Sequence, residues 1–169
     1  YRASHRILPI FDTVGHNAYP DTSGESPSKH HTNGSFDEGD LTALLSRLRK
    51  AFDGTGQPVP GEGGVTIWYL EDGFQATPAT ALALYTGTET DKHAVTESAQ
   101  ATLLTAAVQL AYCQPAVGGF FNFELRDETD LGGWQSGLLH PDWTPKLAFT
   151  AYQQVLAAAR AGTIACAPK

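Results

Sequence analysis

The sequence predicts an α/β fold of about three βα units with parallel strands. Apolar segments typical of buried strands alternate with helical segments along the 169 residues. Long polar segments follow the strands, and shorter turns precede them, as in folds whose functional loops share one edge of the sheet. A complete (β/α)₈ barrel needs about 250 residues. The sequence therefore predicts a partial (β/α)₈ barrel, with residues 1–169 as a single C-terminal half-barrel fragment.

The first unit consists of a strand, a long loop and a helix. Residues 10–16 (IFDTVGH) predict a buried strand that stops at Tyr19-Pro20, since proline cannot donate to a sheet ladder. Residues 21–39 are rich in Ser, Gly, Pro and His without periodicity, which predicts a surface loop. Asp40 is expected to cap a helix with one apolar stripe, formed by Leu41, Leu44, Leu45, Leu48 and Phe52.

The second and third units follow the same order. Residues 65–70 (VTIWYL) predict a strand covered on both faces, and a helix starts near Thr96 and ends before Pro115. Residues 117–123 predict the third strand. Thr144 and Pro145 suit the N-cap and first position of a last helix, which Gly162 ends.

Charge and hydropathy exclude several classes of partner. Eighteen acidic against eleven basic residues give a net charge of -7, which disfavours nucleic acid and anionic membrane surfaces. No apolar run reaches the roughly 18 residues of a bilayer span, and the first residues lack an apolar signal core. The chain starts at Tyr1 and contains no Met, which indicates a processed product or a piece of a longer chain.

Glu71 is the strongest candidate for a catalytic residue. It follows the predicted second strand at its C-terminal end, where barrel enzymes place catalytic groups, and is expected to share a face with Val65, Ile67 and Tyr69. The alternative is a surface glutamate that caps a loop.

Three segments carry a family resemblance. Residues 67–75 (IWYLEDGFQ) resemble the strand-seven motif of clan A glycoside hydrolases, particularly family 5 cellulase-like enzymes, in which a glutamate is the nucleophile. Residues 16–20 (HNAYP) resemble the end of strand six in the same enzymes. Residues 118–128 (GGFFNFELRDE) and 132–138 (GGWQSGL) resemble strand eight and its loop. The resemblance covers nearly the whole chain, from about residue 11 to 152.

This resemblance implies a retaining β-glycosidase in which Glu71 attacks the anomeric carbon. Tyr19 would orient Glu71 by a hydrogen bond, and Trp134 would offer a flat face to a sugar ring. His16 and Asn17 would complete the substrate-binding group. In the family the acid/base is the Glu of an Asn-Glu pair on strand four, and this sequence contains no Asn-Glu dipeptide. The fragment alone is therefore expected to be nearly inactive, and no cofactor is expected.

Two other functions remain open. The half-barrel could be a non-catalytic carbohydrate-binding module, in which self-association or a missing barrel half covers the open strand edges. Alternatively, Glu124, Asp127 and Glu128 could hold a metal in another class of hydrolase. Glu124 departs from the apolar residue usual in the family and is expected to be solvated or paired with Arg126. Asp72 departs too, standing where relatives have an aromatic residue.

Histidines and cysteines suggest two further features. His30 and His31 together with His16 could bind a metal, but a solvated loop is the expectation, and no metal is predicted. Cys113 and Cys166 follow two helices that should pack together, so they either form a disulfide or remain buried thiols. Since the resemblance is to extracellular enzymes, we expect the disulfide and a secreted protein.

Overall fold

The computed structural model describes residues 3, 5 and 7–166. Its strands are β1 (Thr13–Asn17), β2 (Thr66–Asp72), β3 (Ala76–Thr77), β4 (Val95–Thr96) and β5 (Val117–Asn122). Its α-helices are α1 (Leu41–Phe52), α2 (Glu97–Tyr112) and α3 (Leu147–Ala161), and short 3₁₀ segments cover Glu38–Asp40 and Leu82–Leu84.

The strands form two small parallel sheets. β2 lies between β1 and β5 in a three-stranded sheet, and β3 pairs with β4 in a second sheet. The predicted α/β class with parallel strands is confirmed. These two sheets do not show a barrel, so the partial barrel stays a prediction. The second sheet and the Leu82–Leu84 turn lie where the sequence predicted only a loop, because runs of two or three residues are too short to show periodicity.

The helices cover one face of the three-stranded sheet. Ile67 and Tyr69 of β2 are fully buried and pack in a cluster with Leu41 of α1 and Ala111 of α2. A second apolar cluster joins α2 and α3 and contains Phe74, Leu104, Ala107, Val108, Leu138, Ala148 and Val155. The opposite face carries the exposed side chains of Trp68, Leu70 and Phe121. The prediction that residues 65–70 are covered on both faces is therefore wrong for the described part of the chain.

Tertiary hydrogen bonds change one predicted strand start and one predicted helix cap. The backbone N–H groups of Ile10 and Phe11 donate to Gln57 Oε1 at 2.7 and 3.3 Å, so β1 begins only at Thr13. Asp40 occupies the N-cap position of α1, but its side chain makes no capping bond and accepts instead from the backbone N–H of His31.

The start of α3 differs from the predicted Thr144-Pro145 cap. Lys146 is the N-cap, and the helix begins at Leu147. The Lys146 ammonium donates to both carboxylate oxygens of Asp127 at 3.0 and 2.9 Å, and its backbone N–H donates to Leu138 O. These bonds keep Lys146 extended, at φ -79° and ψ 167°. Gly162 ends the helix in the left-handed conformation that glycine tolerates, at φ 66°.

A disulfide joins the ends of the second and third units. Cys113 caps the C-terminus of α2, and Cys166 lies beyond α3, with their Cα atoms 5.4 Å apart. The bond closes a segment of 53 residues. Within the described residues no helix has both the length and the apolar character to cross a membrane.

Candidate functional site

A β-bulge in β2 places the Glu71 side chain. On one side Tyr69 pairs with His16 and Glu71 with Asn17, so that Leu70 is an extra residue in the ladder. On the other side, the register with β5 also shifts, between Tyr69 and Asp72. A bulge of this kind re-aims the side chains that follow it. Asp72 therefore lies on the same buried, helix-covered face of the sheet as Tyr69, whereas Glu71 does not.

This arrangement corrects the expectation that Glu71 shares a face with Val65, Ile67 and Tyr69. Those three side chains are buried, whereas Glu71 is half-buried and reaches the hydroxyl of Tyr19. Strict alternation would have turned Glu71 into the helix layer. The extra residue in the strand prevents that, and no local propensity signals it.

Tyr19 holds Glu71 by a direct hydrogen bond. Its hydroxyl donates to Glu71 Oε2 at 3.1 Å, and the backbone N–H of Ala18 donates to Glu71 O at 2.8 Å. Burial, followed by the hydrogen bond to Glu71, raises the pKa of Tyr19 above its usual value. Tyr19 therefore remains a proton donor at neutral pH.

Three aromatic rings form a cluster next to this hydrogen bond. Trp134 stacks on Tyr19 with ring centroids 6.1 Å apart and planes inclined by 23°. Phe123 contacts both rings edge-on, at 6.0 Å from Tyr19 and 5.7 Å from Trp134. Trp134 is 48% exposed, so part of the indole remains free for a ligand. The structure thus brings Glu71, Tyr19 and Trp134 together at one edge of the sheet.

Two buried glutamines hold the loop that carries Trp134. Gln75 Nε2 donates to Gln135 Oε1 at 2.6 Å, and the backbone N–H of Gln135 donates to Gln75 Oε1 at 2.8 Å. At Gly73, an added Cβ would lie only 2.5 Å from Phe123 O, so this close approach of the two loops needs glycine. These supporting residues lie inside motifs visible in the sequence, but nothing local shows that they pair with each other.

His16 and Asn17 take different places from Tyr19. The His16 ring packs edge-on against Tyr69, and its Nε2 lies 2.7 Å from Phe36 O. The structure thus directs His16 toward the loop that follows β1. Asn17 is exposed and lies opposite Glu71 in the strand register.

The acidic residues that follow β5 do not act as one group. Asp127 is fully buried in an ion pair with Lys146 and accepts a 2.6 Å hydrogen bond from Tyr85. Burial raises the pKa of Glu124 above its usual value, with the nearby Glu128 and Asp127 charges adding to the effect. Arg126 lies over the Trp143 ring, 4.8 Å from its centroid. Because Asp127 is already neutralised by Lys146, the arrangement gives no support to a metal held by these three carboxylates.

A buried carboxyl pair lies under the bulge. Asp72 faces Glu38, and both side chains are almost completely buried. Burial raises the pKa of Asp72 to about 7, and it raises the pKa of Glu38 well above its usual value. The pair therefore remains at least partly protonated up to near-neutral pH. The pair joins the end of β2 to the turn that precedes α1.

Comparison with known proteins shows the fold class to which this site belongs. No protein-family model and no curated protein sequence matches the chain. Among solved structures, a family 2 glycoside hydrolase, a β-galacturonidase from Eisenbergiella tayi, matches with 19% identity and a TM-score of 0.53 over 89% of this chain and 24% of that one. A family 39 glycoside hydrolase from Bacteroides cellulosilyticus WH2 matches with 16% identity and a TM-score of 0.51, over 90% and 27%.

These neighbours are glycosidases, and this chain spans about a quarter of their length. The predicted membership of family 5 in clan A is wrong, because these two solved structures with the same fold belong to families 2 and 39. The motifs behind that prediction are short sequences at strand ends. Families with one fold share strand-end geometry, so such motifs indicate the fold better than the family.

Proposed function

We propose that this chain is part of a retaining glycoside hydrolase that cleaves O-glycosidic bonds of a β-linked oligo- or polysaccharide, with Glu71 as the nucleophile. The observation that carries the proposal is the hydrogen bond from Tyr19 to Glu71, made at the strand edge beside the half-exposed Trp134. The glycosidase fold of the solved neighbours supports it.

Each side chain has a definite task in this mechanism. The Glu71 carboxylate attacks the anomeric carbon as the bond to the leaving oxygen breaks, and a second carboxylic acid about 5 Å away protonates that oxygen. Water then cleaves the glycosyl ester, with the second group acting as base. Tyr19 keeps one Glu71 oxygen fixed and leaves the other free to attack. Trp134 packs against the apolar C–H face of the sugar.

The acid/base is expected to come from a segment outside residues 1–169. Glu124 is a nearby carboxyl with a raised pKa, but it lies one strand away on the segment after β5, and we place it outside the catalytic pair. The chain alone should therefore bind sugar weakly and turn over almost none, since leaving-group assistance and half of the cleft are missing.

The test is covalent trapping in a protein that contains the complementary segment. A panel of 2,4-dinitrophenyl 2-deoxy-2-fluoro-β-glycosides would be applied, and the labelled peptide identified by mass spectrometry. We expect the label on Glu71. Glu71→Gln should reduce kcat by several orders of magnitude, because every turnover passes through the covalent intermediate. Azide should restore turnover to Glu71→Gly.

Two further variants serve as controls. Glu124→Gln should reduce kcat far less than Glu71→Gln. Trp134→Ala should cost on the order of 1 to 3 kcal/mol of transition-state stabilisation, seen in kcat/KM. Abolished turnover in Glu124→Gln with a mild effect in Glu71→Gln would overturn the assignment. Oligosaccharide binding without any covalent adduct would show a non-catalytic carbohydrate-binding module instead.

A further inference from the structure

His31 is buried in the loop between β1 and α1, where the sequence predicted a solvated segment. Its side chain is only 4% exposed, whereas the adjacent His30 side chain is 79% exposed. A buried imidazole needs partners for both ring nitrogens, and carboxylates supply them here. The expectation of a solvated histidine pair therefore fails at His31.

Two buried carboxylates face one nitrogen of this ring. His31 Nδ1 lies 2.8 Å from Asp40 Oδ2 and 3.4 Å from Asp37 Oδ2, and the side chains of both acids are at most 4% exposed. One ligand atom from each of the three residues lies within 4.8 Å of the other two. A tetrahedral cation with bonds of about 2.0 to 2.2 Å holds its ligand atoms about 3.3 to 3.6 Å apart. The Asp37 oxygen already lies at such a distance from His31 Nδ1, and the Asp40 oxygen would move outward by less than about 1 Å.

Asp37 supplies a second observation that points to a ligand. Its Oδ1 accepts a 2.9 Å hydrogen bond from the backbone N–H of Gly39. Its Oδ2 is buried and has no hydrogen-bond partner, and it points toward His31 Nδ1. A buried carboxylate oxygen without a partner is costly, and native proteins usually satisfy such atoms.

The other ring nitrogen has the partner that a metal-binding histidine requires. His31 Nε2 lies 3.3 Å from Glu25 Oε2 and 3.7 Å from Asp21 Oδ2. If Nε2–H donates to these carboxylates, Nδ1 presents its lone pair to Asp37 and Asp40. Outer carboxylates of this kind fix the ring and tautomer of metal-ligating histidines.

We propose that His31 Nδ1, Asp37 Oδ2 and Asp40 Oδ2 bind a first-row divalent cation of the Zn²⁺ type. One neutral imidazole and two carboxylates match the charge of such an ion and its preference for nitrogen and oxygen ligands. The role is structural: the ion ties the β1–α1 loop to the N-cap residue of α1. That loop also supplies Phe36 O, which lies 2.7 Å from His16 Nε2, one strand away from Glu71.

The test is calorimetric titration of the metal-stripped protein with ZnCl₂, and with CaCl₂ for comparison. We expect one Zn²⁺ per chain, a rise in melting temperature with Zn²⁺, and much weaker binding of Ca²⁺, which prefers six or more oxygen ligands. Asp37→Asn should weaken Zn²⁺ binding about tenfold or more. That variant keeps the Oδ1 acceptor for Gly39, so the metal-free fold should persist. His31→Gln should abolish binding.

His93→Gln is the matched control, because His93 is an exposed histidine in another loop. It should bind Zn²⁺ like the unchanged protein. The rival structure is a protonated His31 that neutralises the surrounding carboxylates without a metal. The proposal is overturned if no Zn²⁺ binds, or if Asp37→Asn and His31→Gln bind Zn²⁺ as tightly as the unchanged protein.

Discussion

Single residues at the end of β2 have opposite environments although they are neighbours in sequence. Glu71 is half-buried and bonded to Tyr19, while Asp72 is buried against Glu38. The bulge at Leu70 is the cause, because one extra residue reverses the alternation of the strand. The proposed nucleophile is thus kept apart from the acid beside it.

Asp72 should make the stability of the protein fall as pH rises. Its folded-state pKa of about 7 exceeds the usual value of 3.8, so its stabilising contribution is complete below about pH 4 and is lost as pH rises through 7. In urea unfolding with a chelator present, the free energy of unfolding should be lower at pH 8 than at pH 5 by on the order of 2 kcal/mol. Asp72→Asn should reduce this loss, since the amide cannot titrate and can still accept from Gly73 N–H.

Glu62→Gln provides the comparison for this pH effect. Glu62 is exposed in an ion pair with Arg49, and its replacement should leave the difference between pH 5 and pH 8 unchanged. An equal pH dependence in Asp72→Asn and the unchanged protein would show that the buried pair does not carry the effect.

At the scale of elements, a buried ion pair decides where α3 starts. Lys146 and Asp127 are both fully buried, and Lys146 also donates to Gln135 O at 2.8 Å. The bond joins the start of α3 to the loop that carries Trp134. A lysine at the N-cap position does not cap a helix in the ordinary way. Its buried ion pair with Asp127 explains why Lys146 occupies this position.

Lys146→Met should destabilise the protein strongly. The carboxylate of Asp127 would stay buried without its counter-charge, which costs about 3 to 5 kcal/mol. Chemical denaturation measures this loss. Lys92→Met, at an exposed position, should change stability by no more than about 0.5 kcal/mol. If the two variants unfold at the same denaturant concentration, the ion pair does not hold α3 in place.

At the scale of the whole molecule, two features stand out: the disulfide and the uncovered face of the three-stranded sheet. The disulfide between Cys113 and Cys166 ties the segment after α3 to the end of α2. The sheet face with Trp68, Leu70 and Phe121 is exposed, and β1 and β5 are the edges of the described sheet. A complementary barrel half or a second copy of the chain remains the predicted cover for this face and these edges.

Removal of the disulfide should lower stability by about 4 kcal/mol, the loop-closure entropy of its 53-residue segment. Urea unfolding of the Cys113→Ser/Cys166→Ser double variant measures the change. Reduction of the unchanged protein by dithiothreitol should give the same loss, while the double variant should not respond to it. A response in the double variant, or no loss in either case, would contradict this prediction. The bond also supports the proposal that the protein is secreted.

The sequence by itself determined the order of the three strands of the main sheet and the three α-helices, and the position of Glu71 at a strand end. These features follow from local periodicity and from turn residues such as Gly162, which act within a few neighbours. It also placed Tyr19 and Trp134 in loops after strands, and parallel βα order sends those loops to one edge.

Only the tertiary structure decided the orientation of Glu71, the start of α3 and the burial of His31. Each depends on contacts beyond the few neighbouring residues on which local propensity acts: the bulge on two neighbouring strands, Lys146 on Asp127, and His31 on Asp40 and Glu25. Local propensity is worth a few tenths of a kcal/mol per residue, whereas burying a charge costs several kcal/mol unless it is paired. Where local propensity and the pairing of a buried charge favour different conformations, the buried pair determines the structure.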